Sequence, residues 1–267
     1  KNYGYPLGFD TAILMYNKKV IKTEPKTIAE ISEFATSFDN ANYPDVESVI
    51  KWDVTKILLN YHFIGEYLNL GGDEGDNPEI IDVDGENIKN AAVFYQKLAQ
   101  FFYINPEKDT DDLILENFYN GKIAYTFASV DSLKKGLESK EDIGYMPIPD
   151  MDKNLKSKPL SLTDLVMVNP FSDQKSEARK FAKFITYEMA DEMYADAGII
   201  STKLHKYKNE ALNIFIKAYS NSAMLPKLMT TTDYWIKINN ILEKIWTGSD
   251  VNEIFTKLKE ELYLQIN

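Results

Sequence analysis

Apolar and polar positions alternate with two different periods along the chain, and the switches between them mark its elements. Ala12-Ile13-Leu14-Met15-Tyr16 is an unbroken apolar run, the pattern of a short strand buried on both faces. A turn-rich extended segment, Gly4-Tyr5-Pro6-Leu7-Gly8, precedes it. After Pro25, Thr27 is placed to cap a helix whose stripe is Ile28, Ile31 and Phe34. Glu30 stands three residues beyond the cap, as in a capping box. Thr55–Leu70 is the next helical stretch, stopped by Gly71-Gly72, and Ile80–Gly85 reads as a hairpin strand running into a turn. Glu86–Tyr103 places Ile88, Ala91, Ala92, Tyr95, Leu98 and Phe102 on one helical face. Asp111–Tyr119 is a shorter helix closed by Asn120-Gly121. Strands follow at Ile123–Ala128, Ile143–Ile148 and Leu160–Val168, with a short helix at Asp131–Leu137. The run Leu165-Val166-Met167-Val168 predicts burial on both sides. From Lys175 onward the period is helical: Ser176–Met189, Ala190–Asp196, Asn209–Tyr219, Tyr234–Trp246 and Val251–Leu264. Strands interleaved with helices, then a helical tail, predict an α/β fold.

Composition narrows the function. Hydrophobic residues make up 44% and charged residues 27% of the 267, enough apolar content to bury a core. No apolar run approaches the roughly 20 residues of a membrane-spanning helix. The net charge is −11, and Arg179 is the only arginine. The clustered basic footprint of a nucleic-acid binder is missing. So is the arginine fork that usually clamps a phosphate or carboxylate ligand. With no cysteine there are no disulfides, thiol nucleophiles or Cys-ligated zinc. The opening Lys1-Asn2-Tyr3-Gly4-Tyr5-Pro6 lacks the regions of a signal peptide, so any targeting segment is expected upstream.

No catalytic pattern emerges. His62 and His205 fall on different elements, without a zinc-hydrolase spacing. There is no nucleophile elbow, phosphate loop or dinucleotide fingerprint. Asp73-Glu74-Gly75-Asp76, followed by Asp82, Asp84 and Glu86, misses the spacing of a calcium loop and reads as a solvated hairpin. A two-carboxylate glycosidase using Asp10 and Asp53 is the enzymatic alternative, though nothing in the sequence sets those two face to face. No cofactor is implied.

The order of motifs resembles a known family. Gly4-Tyr5-Pro6-Leu7, then Asp10, a strand ending Tyr16-Asn17-Lys18, and Pro25-Lys26-Thr27 look like the first hinge crossing of maltose-binding-type solute-binding proteins of sugar ABC transporters. Phe118-Tyr119-Asn120-Gly121-Lys122-Ile123-Ala124-Tyr125 resembles their helix-to-strand turn. Gly144-Tyr145-Met146-Pro147-Ile148-Pro149 resembles the approach to their second crossing, and Ala178–Phe184 their paired-phenylalanine helix. The resemblance implies a periplasmic-binding-protein-like type II fold, two α/β lobes closing on a sugar. It assigns 12–158 and 207–267 to the second lobe, and 1–11 and 159–206 to hinge crossings and a remnant of the first. About a hundred residues of that first lobe are then expected to be missing, judged from ordinary domain size. The remnant is expected to be poorly supported and sugar binding by this chain weak.

The resemblance also implies site residues. Asp10 falls at an acidic acceptor of sugar hydroxyls. Trp52 and Asp53 fall in a ligand-contact loop, and Ser129 to Asp131 in another, where Asp131 replaces a stacking tryptophan. Tyr234 and Trp235 match a late stacking position. Aromatic faces cover the apolar side of a sugar ring, and carboxylates satisfy its hydroxyls. Trp246 lies instead on a stripe with Ile238, Leu242 and Ile245, a core position. The implied function is non-catalytic: a sugar receptor for an ABC permease, extracellular and lipid-anchored, with a surface sensor or adhesion module as the alternative.

Overall fold

The computed structural model describes residues 4–136, 142–190, 192–203 and 206–266, so His205 lies outside the described residues. The strands in chain order are β1 (Tyr5–Thr11), β2 (Ile13–Asn17), β3 (Ser48–Ile50), β4 (Asn69–Leu70), β5 (Ile81–Asp82), β6 (Ile123–Ala128), β7 (Ile143–Met146), β8 (Ser161–Val166) and β9 (Ile200–Ser201). The helices are α1 (Ile28–Thr36), α2 (Ile57–Asn60), α3 (Glu86–Phe101), α4 (Asp111–Tyr119), α5 (Val130–Gly136), α6 (Lys175–Lys183), α7 (Met193–Ala197), α8 (Glu210–Tyr219), α9 (Thr231–Trp246) and α10 (Val251–Ile266).

Two sheets carry the fold. A four-stranded sheet has the order β3-β6-β2-β7, and a three-stranded antiparallel sheet the order β8-β1-β9. Only Ala12 separates β1 in one sheet from β2 in the other. β2 is buried along its whole length, as its unbroken apolar run requires. Leu14 and Tyr16 face a large core with α1, α3, α9 and α10, while Ile13 and Met15 face a smaller one with α4 and α8. Phe9 and Ile200 of the three-stranded sheet join that smaller core.

Local signals explain the well-formed ends. Thr27 accepts the Glu30 N–H at 3.2 Å, and Glu30 accepts the Lys26 N–H at 2.7 Å, a box displaced by one residue. α4 ends in a Schellman motif: the Lys122 N–H reaches the Asn117 carbonyl at 2.9 Å and the Gly121 N–H the Phe118 carbonyl at 3.0 Å. That geometry needs φ = +78° at residue 121, which glycine adopts without steric cost.

Two crossings, at Thr11 and at Leu160, meet the segment between α8 and α9. The buried Thr11 hydroxyl donates to the Leu160 carbonyl at 2.8 Å. The Ala223 N–H donates to the Pro159 carbonyl at 2.8 Å, and the Ser161 N–H to the Ala223 carbonyl at 2.9 Å.

Several expectations are corrected. Thr55–Leu70 is not one helix but α2, a 3-10 turn over Tyr61–Phe63 and β4. Its residues pack on too many sides for one amphipathic helix: Ile57, Leu59, Asn60, Tyr61, His62, Phe63 and Ile64 are all buried. Ser176–Met189 changes from α6 into a π-helix over Phe184–Glu188. β1 appears where only an extended segment was read. The run Leu160–Val168 is not buried on both faces: among the described residues β8 pairs with one strand only, β1, at the edge of its sheet, and Leu165 and Met167 are exposed.

Candidate ligand site

Asp10 sits where the three-stranded sheet meets the start of α5. One carboxylate oxygen accepts the Val130 N–H at 2.9 Å and the Thr11 N–H at 2.7 Å. Burial pushes its pKa up from 3.8 to about 6. The two N–H bonds oppose that shift, and the negative charges of Asp131 and Asp164 add to it. The local turn explains the geometry. β6 stops at Ala128, and the Ser129 N–H donates to the Ser132 hydroxyl at 3.1 Å while the Ser132 N–H returns to the Ser129 carbonyl at 3.0 Å. This turns the backbone so that the Val130 N–H is free to meet Asp10. The structure thus brings Asp10, Ser129 and Asp131 together, with Ser129 half-buried and Asp131 exposed. The arrangement is an acceptor-rich rim with one proton-sensitive carboxyl, suited to hydroxyl recognition.

Trp52 is placed elsewhere. It is 1% exposed, edge-on to Phe127 at 5.2 Å and to Trp246 at 5.5 Å between ring centroids. Its indole N–H donates to Asn60 Oδ1 at 2.8 Å. A ring enclosed on these sides offers no face to a ligand in this structure, so the expectation of a contact at Trp52 is corrected. Asp53 is likewise buried. One oxygen accepts the Thr55 N–H and hydroxyl at 2.9 and 2.6 Å, and the other accepts the Asp111 N–H at 3.1 Å. Its acceptors are committed to joining the α2 and α4 ends, which also removes Asp53 as the partner of Asp10 in a two-carboxylate mechanism. Trp246 is a core residue, as its stripe implies.

Tyr234 and Trp235 open the exposed end of α9. Thr230 caps that helix by accepting the Asp233 N–H at 3.1 Å. Tyr234 is buried, its hydroxyl 2.7 Å from that of Tyr61, while Trp235 is half-buried against the large core. Tyr61 and Tyr234 line a cavity of about 280 Å³ with Glu66, Asn69, Lys158 and Ser222. Neither Asp10 nor Ser129 nor Asp131 borders it. Tyr61 lies in the aromatic cluster Tyr61-His62-Phe63, inside a stretch whose pattern predicts one helix and offers no signal for a cavity there. No cluster of potential metal ligands occurs among the described residues.

Comparison with known proteins places this geometry. Residues 1–191 match the model of the bacterial extracellular solute-binding protein family. The chain is 22% identical to the maltodextrin-binding protein MdxE of Bacillus subtilis over 98% of its own length and 67% of that protein's. It is 22% identical to the maltotriose-binding protein of Pyrococcus abyssi, over 97% and 59% respectively. A maltooligosaccharide ABC transporter solute-binding lipoprotein of Streptococcus pneumoniae is 24% identical, over 98% and 66%. The chain therefore spans about two-thirds of the length of these relatives. The crystal structure of the maltose-binding periplasmic protein MalE from Listeria monocytogenes, in complex with maltose, superposes with a TM-score of 0.79 at 20% identity, covering 98% of this chain and 71% of that one. That likeness establishes the periplasmic-binding-protein-like fold, and the relatives are binding proteins, not enzymes. With the family model matched over residues 1–191, this chain belongs to the bacterial extracellular solute-binding proteins.

Proposed function

We propose that this chain is the substrate-binding part of an ABC importer, taking a sugar or short oligosaccharide between two lobes and presenting it to a membrane permease. The lobes are 12–158 with 207–267 and 1–11 with 159–206, joined where the chain passes from one to the other at 11–12, 158–159 and 206–207. The protein would act outside the cytoplasmic membrane, held by a lipid anchor. The observation that carries the reading is the Asp10 carboxylate, held by two N–H groups at the junction of the two sheets beside Ser129 and Asp131. A carboxylate so fixed is a strong, oriented acceptor for sugar hydroxyls. Closure of the lobes places both sides of the site on the ligand, so ligand selects the closed population.

Calorimetric titration with maltose, maltotriose and maltoheptaose, followed by chromatography of the mixtures, tests the reading. Binding of at least one saccharide without products is expected. Sustained hydrolysis, or no heat with any neutral sugar, would overturn it.

A further inference from the structure

The two oxygens of the Asp10 carboxylate are used unequally. Oδ1 accepts both the Val130 N–H at 2.9 Å and the Thr11 N–H at 2.7 Å, while Oδ2 has no hydrogen-bond partner among the described residues. Two donors converging on one oxygen fix the rotation of the group, so Oδ2 is the acceptor left to an incoming hydroxyl. The Thr11 donor is the next residue along the chain and moves with Asp10. The Val130 donor comes from another element, 120 residues away, and its direction depends on the turn that starts α5. Ser132 holds that turn. It is 1% exposed, and its hydroxyl accepts the Ser129 N–H at 3.1 Å while its own N–H reaches the Ser129 carbonyl at 3.0 Å. This is the half of a capping box in which the third helical residue bonds back to the cap, with serine in place of Glu or Gln. The Ser132 carbonyl is tied in turn to α4, accepting the Tyr119 hydroxyl at 2.7 Å. Tyr119 is the last residue of α4, just before the Gly121 turn. A chain of contacts therefore runs from Tyr119 through Ser132, Ser129 and Val130 to Asp10.

We propose that Ser132, backed by the Tyr119 hydroxyl, is a positioning residue for ligand recognition: it aims the Val130 N–H at Asp10 Oδ1 and so presents Oδ2 to a sugar hydroxyl. This deepens, and rests on, the sugar-receptor reading. Ser132 acts from inside the protein, through the backbone of the turn, and does not touch the ligand. Without its hydroxyl the Ser129 N–H loses its acceptor, and the turn that directs Val130 loosens. A carboxylate that loses an N–H donor rotates more freely, accepts less directionally and holds its proton more tightly. The charged groups nearest to Asp10 are Asp131 beside the turn and Asp164 on β8, and both negative charges push its proton affinity the same way. One such hydrogen bond corresponds to about three- to ten-fold in affinity.

Nuclear magnetic resonance of the ligand-free chain, isotope-labelled at its aspartate carboxyls, follows the titration of Asp10, whose signal is assigned by its loss in Asp10→Asn. Maltotriose affinity is measured in parallel. Ser132→Ala is expected to move the Asp10 titration to higher pH and to weaken maltotriose binding about three- to ten-fold at neutral pH. Ser132→Thr keeps a hydroxyl in the turn and should return both readings toward the wild type. Tyr119→Phe should move them in the same direction as Ser132→Ala, by less. A serine that merely stabilised α5 would lower the melting temperature and leave the Asp10 titration where it was. An unmoved Asp10 titration in a natively folded Ser132→Ala form would overturn the proposal. If that form does not fold, an unmoved titration in Tyr119→Phe does the same. A wild-type chain that binds no sugar defeats the receptor reading, while the ligand-free titration still decides the role of Ser132.

Discussion

A buried histidine and a half-buried aspartate act on stability in opposite directions. Burial among Phe63 and Phe127 lowers the His62 pKa from 6.5 to about 3, opposed only weakly by the backbone of Leu59. The unfolded chain binds the His62 proton more readily, so this contribution is present above pH 6.5 and lost as pH falls toward about 3. Asp10 has the reverse sign. Its raised pKa gives stability present below 3.8 and lost as pH rises through about 6. The His62 shift is the larger, so of these two groups it sets the net direction, a loss toward acid. Urea midpoints of His62→Phe between pH 4 and 7 should show a flattened or reversed slope, and those of Asp10→Asn a steeper acid loss. Parallel profiles for all three proteins would refute the assignment. Asp10 also carries a binding prediction: maltotriose affinity should rise between pH 5 and 7.5 in the wild type as the carboxylate ionises, and stay level in Asp10→Asn. Trp235→Ala should cost about 1–3 kcal/mol of binding, the usual loss for an aromatic anchor, with unchanged circular dichroism. An unchanged affinity would make Trp235 a purely packing residue.

At the scale of elements, a buried amide organises the large core. Asn60 Oδ1 accepts from the Trp52 indole and the Tyr95 hydroxyl, each at 2.8 Å, and its amide donates to the Asp53 and Lys56 carbonyls at 2.9 and 2.7 Å. Asn60→Leu orphans both donors and should destabilise by about 2–6 kcal/mol, counting roughly 1–3 for each. A loss under about 1 kcal/mol in chemical denaturation would show that the network carries little. This network also shows what the sequence could and could not convey. β2 was legible because a strand buried on both faces needs only an unbroken apolar run. The α1 cap and the Gly121 turn were legible because their chemistry is local. Trp52-Asp53 was misread because the ring's enclosure comes from Phe63, Phe127 and Trp246, which only the tertiary fold brings together. β1 was missed because Pro6, Gly8 and Asp10 depress strand propensity, while register with β8 decides its conformation. Asp10, Ser129 and Asp131 were each named as candidates through resemblance, but the bond from the Val130 N–H at the start of α5 to the Asp10 carboxylate of β1 had no signal in the sequence.

On the whole molecule, exposed apolar residues are unevenly distributed. Tyr103 and Leu264 each have one other exposed apolar residue nearby in sequence, Phe101 and Tyr263. Leu165, Met167, Phe171, Phe181, Phe184 and Tyr187 instead fall in one stretch of the chain, from β8 to the π-helix after α6, with Met167 70% and Phe171 91% exposed. The same region holds a cavity of about 640 Å³ bordered by Pro6, Phe184 and Tyr187. Lys180, Lys183 and Lys203 rim it together with the single carboxylate Glu188, Lys180 being paired with Glu177 at 2.9 Å, and the Lys203 ammonium lies 4.3 Å from the Tyr187 ring centre. Although the chain carries a net charge of −11, this face therefore joins an apolar floor to a local group of cations. Exposed apolar surface of this kind is a site of promiscuous contact, and its chemistry suits an anionic aromatic dye. The native chain should enhance the fluorescence of anilinonaphthalene sulfonate well below its unfolding midpoint. Phe184→Ser combined with Tyr187→Ser should remove most of that signal, because both rings border the cavity and neither belongs to the two cores. Their loss should leave the melting temperature within a few degrees, as expected for exposed positions that cost under about 0.5 kcal/mol. Equal dye fluorescence in the double variant would locate the dye elsewhere. A large drop in melting temperature would instead show that the face supports the three-stranded sheet it borders.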